Sequence, residues 1–357
     1  MGFSRRDFGR MGGAALLSAL AARGGTALAA GAGRASADPL AHVAPELRAS
    51  AQQVLAMMAS MPGFNDATIV EARKGGAAFV QPPLADVPVM ERKVPGSRGQ
   101  PDVAVQVINA RAGGSRPGIL HTHGGGYILG TAKGEVRPLQ ELARTLDCVI
   151  VSVEYRLAPE TRFTGSVEDN YAGLLWMYRS AAELGVDPKR IALLGESAGG
   201  GHAALLAIAA RDRGEVPLVL QALIYPMLDD RTGSTRQTPP FIGSVGWDAK
   251  ANRYGWKSFL GVEPGGADVP AAGVPARVEK LEGLAPAFIA VGGIDLFVSE
   301  DIEYARRLTE AGVPAELLVV PGAYHGFDRM AADTPQARQF TGAKLNALRR
   351  AFGQPAV

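Results

Sequence analysis

With a single cysteine, Cys148, in 357 residues, no disulfide can close within the chain, so a disulfide scaffold is excluded and no redox compartment can be read from cysteine pairing. No stretch beyond the N-terminal leader reaches 18 uninterrupted apolar residues, so no membrane-spanning helix is expected. An excess of one charge is also missing. The formal net charge is +2, and residues 1–37 hold five arginines against one aspartate, which leaves 32 basic and 34 acidic groups from Asp38 onward. That balance does not suit a nucleic-acid or polybasic membrane surface. Histidines number only five, which narrows any search for a catalytic base. What remains, 47% hydrophobic and 20% charged, describes a globular chain rather than a disordered or fibrous one.

The N-terminus reads Ser4-Arg5-Arg6-Asp7-Phe8, followed by a Gly/Ala/Leu stretch over residues 11–22 and then small residues. The pattern resembles a twin-arginine signal peptide, with cleavage expected after Ala29 or after Ala37. Its apolar run is too short for a permanent anchor, so the expectation is an exported, periplasmic or secreted protein whose fold starts near Asp38.

From residue 45 to 61, apolar residues recur at intervals of three and four, the stripe of an amphipathic helix that ends at Pro62-Gly63. Alternating segments at 89–94 and 103–108 read as a hairpin. Beyond it, short β-branched runs (118–122, 149–153, 191–194, 218–225, 287–291, 315–320) take turns with helix-length segments (136–146, 167–184, 198–211, 302–311, 337–351). Strand and helix in alternation predict an α/β fold with a mostly parallel sheet covered on both faces. Residues 226–284 break the rhythm and contain two of the three tryptophans, Trp247 and Trp256, which suits a packed lid at the functional edge of the sheet.

The most informative stretch is Gly195-Glu196-Ser197-Ala198-Gly199-Gly200, a Gly-x-Ser-x-Gly turn between an apolar strand and an alanine-rich helix. Such a turn is tight and strained, so its flanks must lack β-carbons, and it holds the serine oxygen out at the carboxyl edge of the sheet. A second motif, His123-Gly124-Gly125-Gly126-Tyr127, also follows a strand. Consecutive glycines let backbone N–H groups converge on a developing oxyanion, and the amides of Gly125, Gly126 and Ala198 are the expected donors. His121 and His123 form a His-x-His pair, yet no third or fourth metal ligand lies nearby. The reading is therefore a sheet histidine and a loop brace, with no metal site.

A serine nucleophile needs a base, and where the order is serine, acid, histidine, only His202 and His325 follow Ser197. His202 sits in the helix after the serine and is expected to point away from it. His325 lies in a loop after a strand and can reach back. The acid is assigned to Asp295, at the end of the strand 287–291, ahead of Asp229 and Asp230, while Glu300 and Asp301 read as helix N-terminal charges. Tyr127, Phe297 and Tyr324 adjoin these motifs and read equally as substrate-binding walls or as simple packing, and Met57, Met58 and Met61 either line an acyl pocket or pack as core or cap. Glu196 is either a hydrogen-bonding partner of the site or a polar residue beneath the turn.

Together, His123-Gly-Gly-Gly126, Tyr155-Arg-Leu-Ala-Pro-Glu160, Gly195-Glu-Ser-Ala-Gly-Gly200, Asp295 and Tyr324-His-Gly-Phe327 resemble the hormone-sensitive lipase-like family of bacterial esterases, over the chain from about residue 103 onward. The resemblance implies an α/β-hydrolase fold with a helical cap from about 38–85 and 226–284. It also implies hydrolysis of short- to medium-chain acyl esters without a cofactor. The chain departs from the family at Asp295-Leu296-Phe297, where Asp-Pro-Leu is common, and at Phe163-Thr-Gly-Ser, where Phe-Pro-Ala-Ala is common. Two other readings stay open, an amidase or peptidase using the same triad and a ligand-binding homologue without chemistry. The expected partner is a small-molecule ester, and the final helix permits a homodimer.

Overall fold

In the computed structural model, residues 38–76 and 80–355 are described, and the expected leader lies outside them. Among the described residues, eight strands form one sheet in the order β1-β2-β4-β3-β5-β6-β7-β8. They are β1 (Val89–Val94), β2 (Val103–Ile108), β3 (Arg116–Thr122), β4 (Val149–Val153), β5 (Val186–Glu196), β6 (Leu220–Ile224), β7 (Ala287–Gly292) and β8 (Ala315–Val320). The β1-β2 hairpin is antiparallel, and β2 meets β4 antiparallel. From β4 onward every neighbouring pair is parallel, as the strand-helix alternation implies.

Parallel strands need crossovers, and the helices between them supply both covering layers. On one face, α1 (Arg48–Ser60), α3 (Val136–Leu146) and α10 (Pro335–Ala351) bury Ala51, Val54, Leu139, Ala143, Phe340 and Leu348 against Ile119, Ile150, Ala192 and Phe288. On the other, α4 (Phe163–Arg179), α5 (Ala181–Leu184), α6 (Ala198–Arg213) and α8 (Val298–Glu310) bury Leu174, Met177, Ala204, Leu206, Tyr304 and Leu308 against Leu120, Val151, Leu193 and Ile289. Strand β4, Val-Ile-Val-Ser-Val, shows why a central strand reads as a continuous apolar run. Val149, Val151 and Val153 pack on one face and Ile150 on the other, and all five residues are buried.

A third apolar cluster lies over the Ser197 turn. It joins Ile69 of α2 (Ile69–Gly76) and Trp256, Phe259 and Leu260 of α7 (Ala249–Leu260) to Tyr127, Ala198, Leu296 and Phe297. The sequence reading passes over both helices. For α7 the signals were present, since Asp248 caps the N-terminus by accepting from Ala251 N at 2.7 Å and Gly261 ends the helix in the left-handed region at φ 73°. The one-turn α9 (Phe327–Met330) follows directly on the histidine loop. No helix among the described residues is long and apolar enough to cross a membrane.

Candidate active site

Strand β5 runs through Glu196 and α6 starts at Ala198, so Ser197 alone makes the turn, at φ 59° and ψ −124°. This conformation strains a residue bearing a β-carbon and is held by its surroundings. Ser197 N donates to Ile224 O at 2.9 Å, and Ser197 O accepts from Gly201 N at 3.1 Å and Met227 N at 3.0 Å. The flanking glycines are obligatory on steric grounds. A β-carbon on Gly195 would lie 2.2 Å from Gly199 O, and one on Gly199 would lie 2.0 Å from Thr122 O.

Ser197 Oγ lies 2.9 Å from His325 Nε2, and His325 Nδ1 lies 2.8 Å from Asp295 Oδ2. Residues from three different strand ends thus form one file. Asp295 is fully buried, and its other oxygen accepts from Phe297 N at 3.0 Å, which fixes the carboxylate plane. The imidazole is held edge-to-face by Tyr225 at 4.8 Å and Phe297 at 5.2 Å. Asp229 pairs instead with Arg231 and Arg236, and Asp230 with Arg277. Glu300 is buried in the first turn of α8 and accepts from the amides of Leu228 and Asp229. Burial, and then the neighbouring Asp229 charge, push its carboxyl well up.

The glycine loop bends so that Gly125 O accepts from the amides of Ile128 and Leu129, while among the described residues the N–H groups of Gly125 and Gly126 have no acceptor. Ala198 stands at the first position of α6, where an N–H has no partner within its helix. His123 acts as a brace. Its Nδ1 donates to Gly124 O at 2.9 Å, its ring stacks on Tyr155 at 4.1 Å, and Tyr155 Oη donates to His123 O at 2.7 Å. Burial is the main cause that lowers the His123 pKa to about 4, so the ring is neutral at pH 7. His121 is filled on both nitrogens, by Ser152 Oγ at 2.8 Å and Glu196 Oε2 at 2.9 Å, and has none free for a metal. Glu196 therefore has a partner within the site. Burial pulls its carboxyl upward, but His121, Arg329 and Lys344 outweigh that pull and hold it at about 2.

The three aromatic residues read either as substrate walls or as packing are packing residues here. Tyr127 is buried, stacks on Phe259 at 3.9 Å and donates to Met227 O at 2.9 Å. Tyr324 is buried with its hydroxyl against Ser50 Oγ at 2.8 Å, and Phe297 supports the histidine ring. In a core this dense, aromatic rings beside a motif in sequence fill the floor under it. The cavity wall comes from elsewhere. A cavity of about 420 Å³ opens beside His325, lined by Met57, Met58 and Met61 at the end of α1, with Phe64, Leu129 and Trp247. Met58 Sδ also accepts from Gly246 N at 3.3 Å, which ties α1 to the 226–284 segment. Arg73 of α2 ties the glycine loop, through Ile128 O at 2.8 Å, to the Tyr155–Glu160 segment, through Ala158 O at 2.7 Å, contacts no local pattern announces.

His202 is buried among Tyr127, Tyr155 and Phe259, with no hydrogen bond to either nitrogen among the described residues. Burial first, and His123 second, lower its pKa to about 3. Because the folded value lies below the unfolded one, its contribution to stability is complete above pH 6.5 and is lost as pH falls toward 3. Replacing His202 with Phe is expected to shrink the loss of unfolding free energy between pH 7 and pH 5 by about 2 kcal/mol, as measured by urea titration at the two pH values. An equal loss in both proteins would show that His202 does not titrate in this way.

The profile of the alpha/beta hydrolase fold matches residues 119–329. Carboxylesterase NlhH of Mycobacterium tuberculosis is 36% identical over 277 residues, covering 75% of this chain and 84% of that protein. Esterase LipI of Mycobacterium tuberculosis is 36% identical over 237 residues, covering 65% of this chain and 72% of that protein. The solved structure of a bacterial heroin esterase superposes with a TM-score of 0.78 at 35% identity, covering 88% of this chain and 99% of that one. On this fold and these relatives, the chain belongs to the alpha/beta hydrolases, as a carboxylic ester hydrolase of the hormone-sensitive lipase-like family.

Proposed function

We propose that the protein is a serine carboxylesterase for short- to medium-chain acyl esters, working through Ser197, His325 and Asp295 and an acyl-enzyme intermediate. The observation that carries this reading is the Asp295–His325–Ser197 file, at 2.8 and 2.9 Å, beside a loop whose Gly125 and Gly126 amides have no acceptor among the described residues. Asp295 accepts from Nδ1–H and leaves Nε2 to take the Ser197 proton as the oxygen attacks the ester carbonyl. The amides of Gly125, Gly126 and Ala198 receive the oxyanion, which they stabilise more than the ground-state carbonyl. The imidazolium gives its proton to the leaving alcohol, and the neutral imidazole then takes a proton from the water that attacks the acyl-enzyme and returns it to Ser197 Oγ as the acid leaves. The α1 and α2 region and the 226–284 segment serve as a cap over this chemistry. The methionine-lined cavity beside His325 supports the chain-length reading, since flexible thioethers fit acyl chains of several lengths. The arginine pair of the leader supports export by the twin-arginine route.

The test is initial rates on p-nitrophenyl esters of two to sixteen acyl carbons, with the protein starting at Asp38. A maximum at short or medium chains is the expected result. Absent turnover by folded protein at every length would reject the ester reading and favour amides or ligand binding, and a flat profile or an optimum at long chains would reject the chain-length reading.

A further inference from the structure

The Trp247 indole stands at an unusual place, directly against the oxyanion loop. A β-carbon built on Gly126 would lie 2.2 Å from Trp247 Cη2 and 2.4 Å from Cζ2, so the ring edge occupies the space a side chain would take at that glycine. Gly246, just before it, rests on the histidine loop in the same way, with a β-carbon there 2.9 Å from His325 O. One short piece of the 226–284 segment thus touches both the oxyanion loop and the histidine loop. The indole is also locked in rotation. Its Nε1–H donates to Asn252 Oδ1 at 3.1 Å, and fully buried Asn252 donates in turn to Thr232 O at 2.8 Å. On another side Phe64 lies at 5.8 Å, and the ring forms part of the wall of the methionine-lined cavity.

We propose that Trp247 is a specificity-determining residue that limits branching at the acyl carbon next to the scissile carbonyl, and Asn252 is the positioning residue that holds it there. The inference rests on the carboxylesterase reading above. An oxyanion held by the Gly126 amide must sit about 3 Å from that nitrogen, which puts the carbonyl carbon one bond further away. The leaving oxygen must face His325 Nε2 to receive its proton. With the oxyanion on the loop, Ser197 Oγ on the turn and the leaving oxygen toward His325, the fourth substituent, the acyl α-carbon, is the one left to run along the indole edge beside Gly126. A linear chain passes beneath the ring edge into the cavity, whereas two methyl groups on that carbon meet a wall that cannot rotate. In an apolar pocket, each such methyl changes selectivity by about 10- to 200-fold.

The experiment compares kcat/KM for p-nitrophenyl butyrate and p-nitrophenyl pivalate in the wild type, Trp247→Ala, Trp247→Phe and Asn252→Ala, with folding of each checked by circular dichroism. The branched-to-linear ratio is expected to rise at least tenfold in Trp247→Ala, and by less in Trp247→Phe and Asn252→Ala. A ratio within twofold of wild type in Trp247→Ala and Trp247→Phe would overturn the proposal. So would an equal fall on both esters in every variant, because the indole would then support the loop without selecting. A gain confined to tert-butyl acetate, branched on the alcohol, would overturn the acyl assignment. Wild-type turnover of the butyrate ester, and its loss in Ser197→Ala, report on the reaction itself and separate its failure from that of Trp247.

Discussion

Changing Ser197 to Ala should abolish ester turnover, with kcat falling by at least about 10⁴-fold and the fold unchanged. The expectation follows from what the oxygen alone can do. Ser197 Oγ is the atom 2.9 Å from His325 Nε2, and nothing else on the turn can form an acyl bond. The methyl group of alanine fits in the same space, so Asp295, His325 and the glycine loop keep their positions and substrate can still bind. A small residual rate over water should survive from the oxyanion amides and from binding, as expected when a nucleophile is removed from an otherwise intact site. Two measurements check this, the steady-state rate on a short p-nitrophenyl ester and intact-protein mass spectrometry during turnover. The wild type should show the added mass of an acyl group and the variant none. A variant that kept more than about a tenth of wild-type kcat would remove Ser197 from the mechanism.

Asp295→Asn should be nearly as damaging, at about 10⁴-fold in kcat near neutral pH, although it replaces one atom. As a carboxylate, Asp295 accepts from Nδ1–H at 2.8 Å while its other oxygen accepts from Phe297 N. With that second oxygen still bound to the Phe297 amide, an asparagine must present its NH₂ to Nδ1. The imidazole then carries its proton on Nε2, facing Ser197, where it cannot act as a base. The buried imidazolium of the transition state also loses its counter-charge. Asp229→Asn serves as the comparison. Asp229 is held by Arg231 and Arg236 rather than by His325, so its loss should change kcat less than tenfold. Equal effects from the two substitutions would reject Asp295 as the orienting acid.

The parts of the site legible in the sequence were those whose physics is local. Gly195 announces a turn because a β-carbon there would meet Gly199 O only four residues on, whereas the clash that keeps Gly199 bare is with Thr122 O and exists only once the sheet is formed. The sheet was legible for a similar reason, since a strand buried on both faces, such as β4, has no polar alternation to blur it. Asp248 and Gly261 marked the ends of α7, but the interrupted rhythm of residues 226–284 hid the helix between them. For Tyr127, Phe297 and Tyr324 the sequence left wall and packing open, because adjacency along the chain says nothing about which side of a packed floor a ring faces.

By itself, the sequence supplied the residues on which the proposed chemistry rests. It supplied a serine on a glycine-flanked turn, a glycine loop after a strand, and one histidine and one aspartate at later strand ends, each dictated by backbone geometry within a few residues. The tertiary structure alone decided the surroundings of that chemistry. Met58 reaches Gly246 across the cavity, Arg73 ties α2 to the glycine loop, and Trp247 lies against Gly126. These contacts join residues far apart in the chain, and they arise from close packing of side chains, which no local pattern encodes.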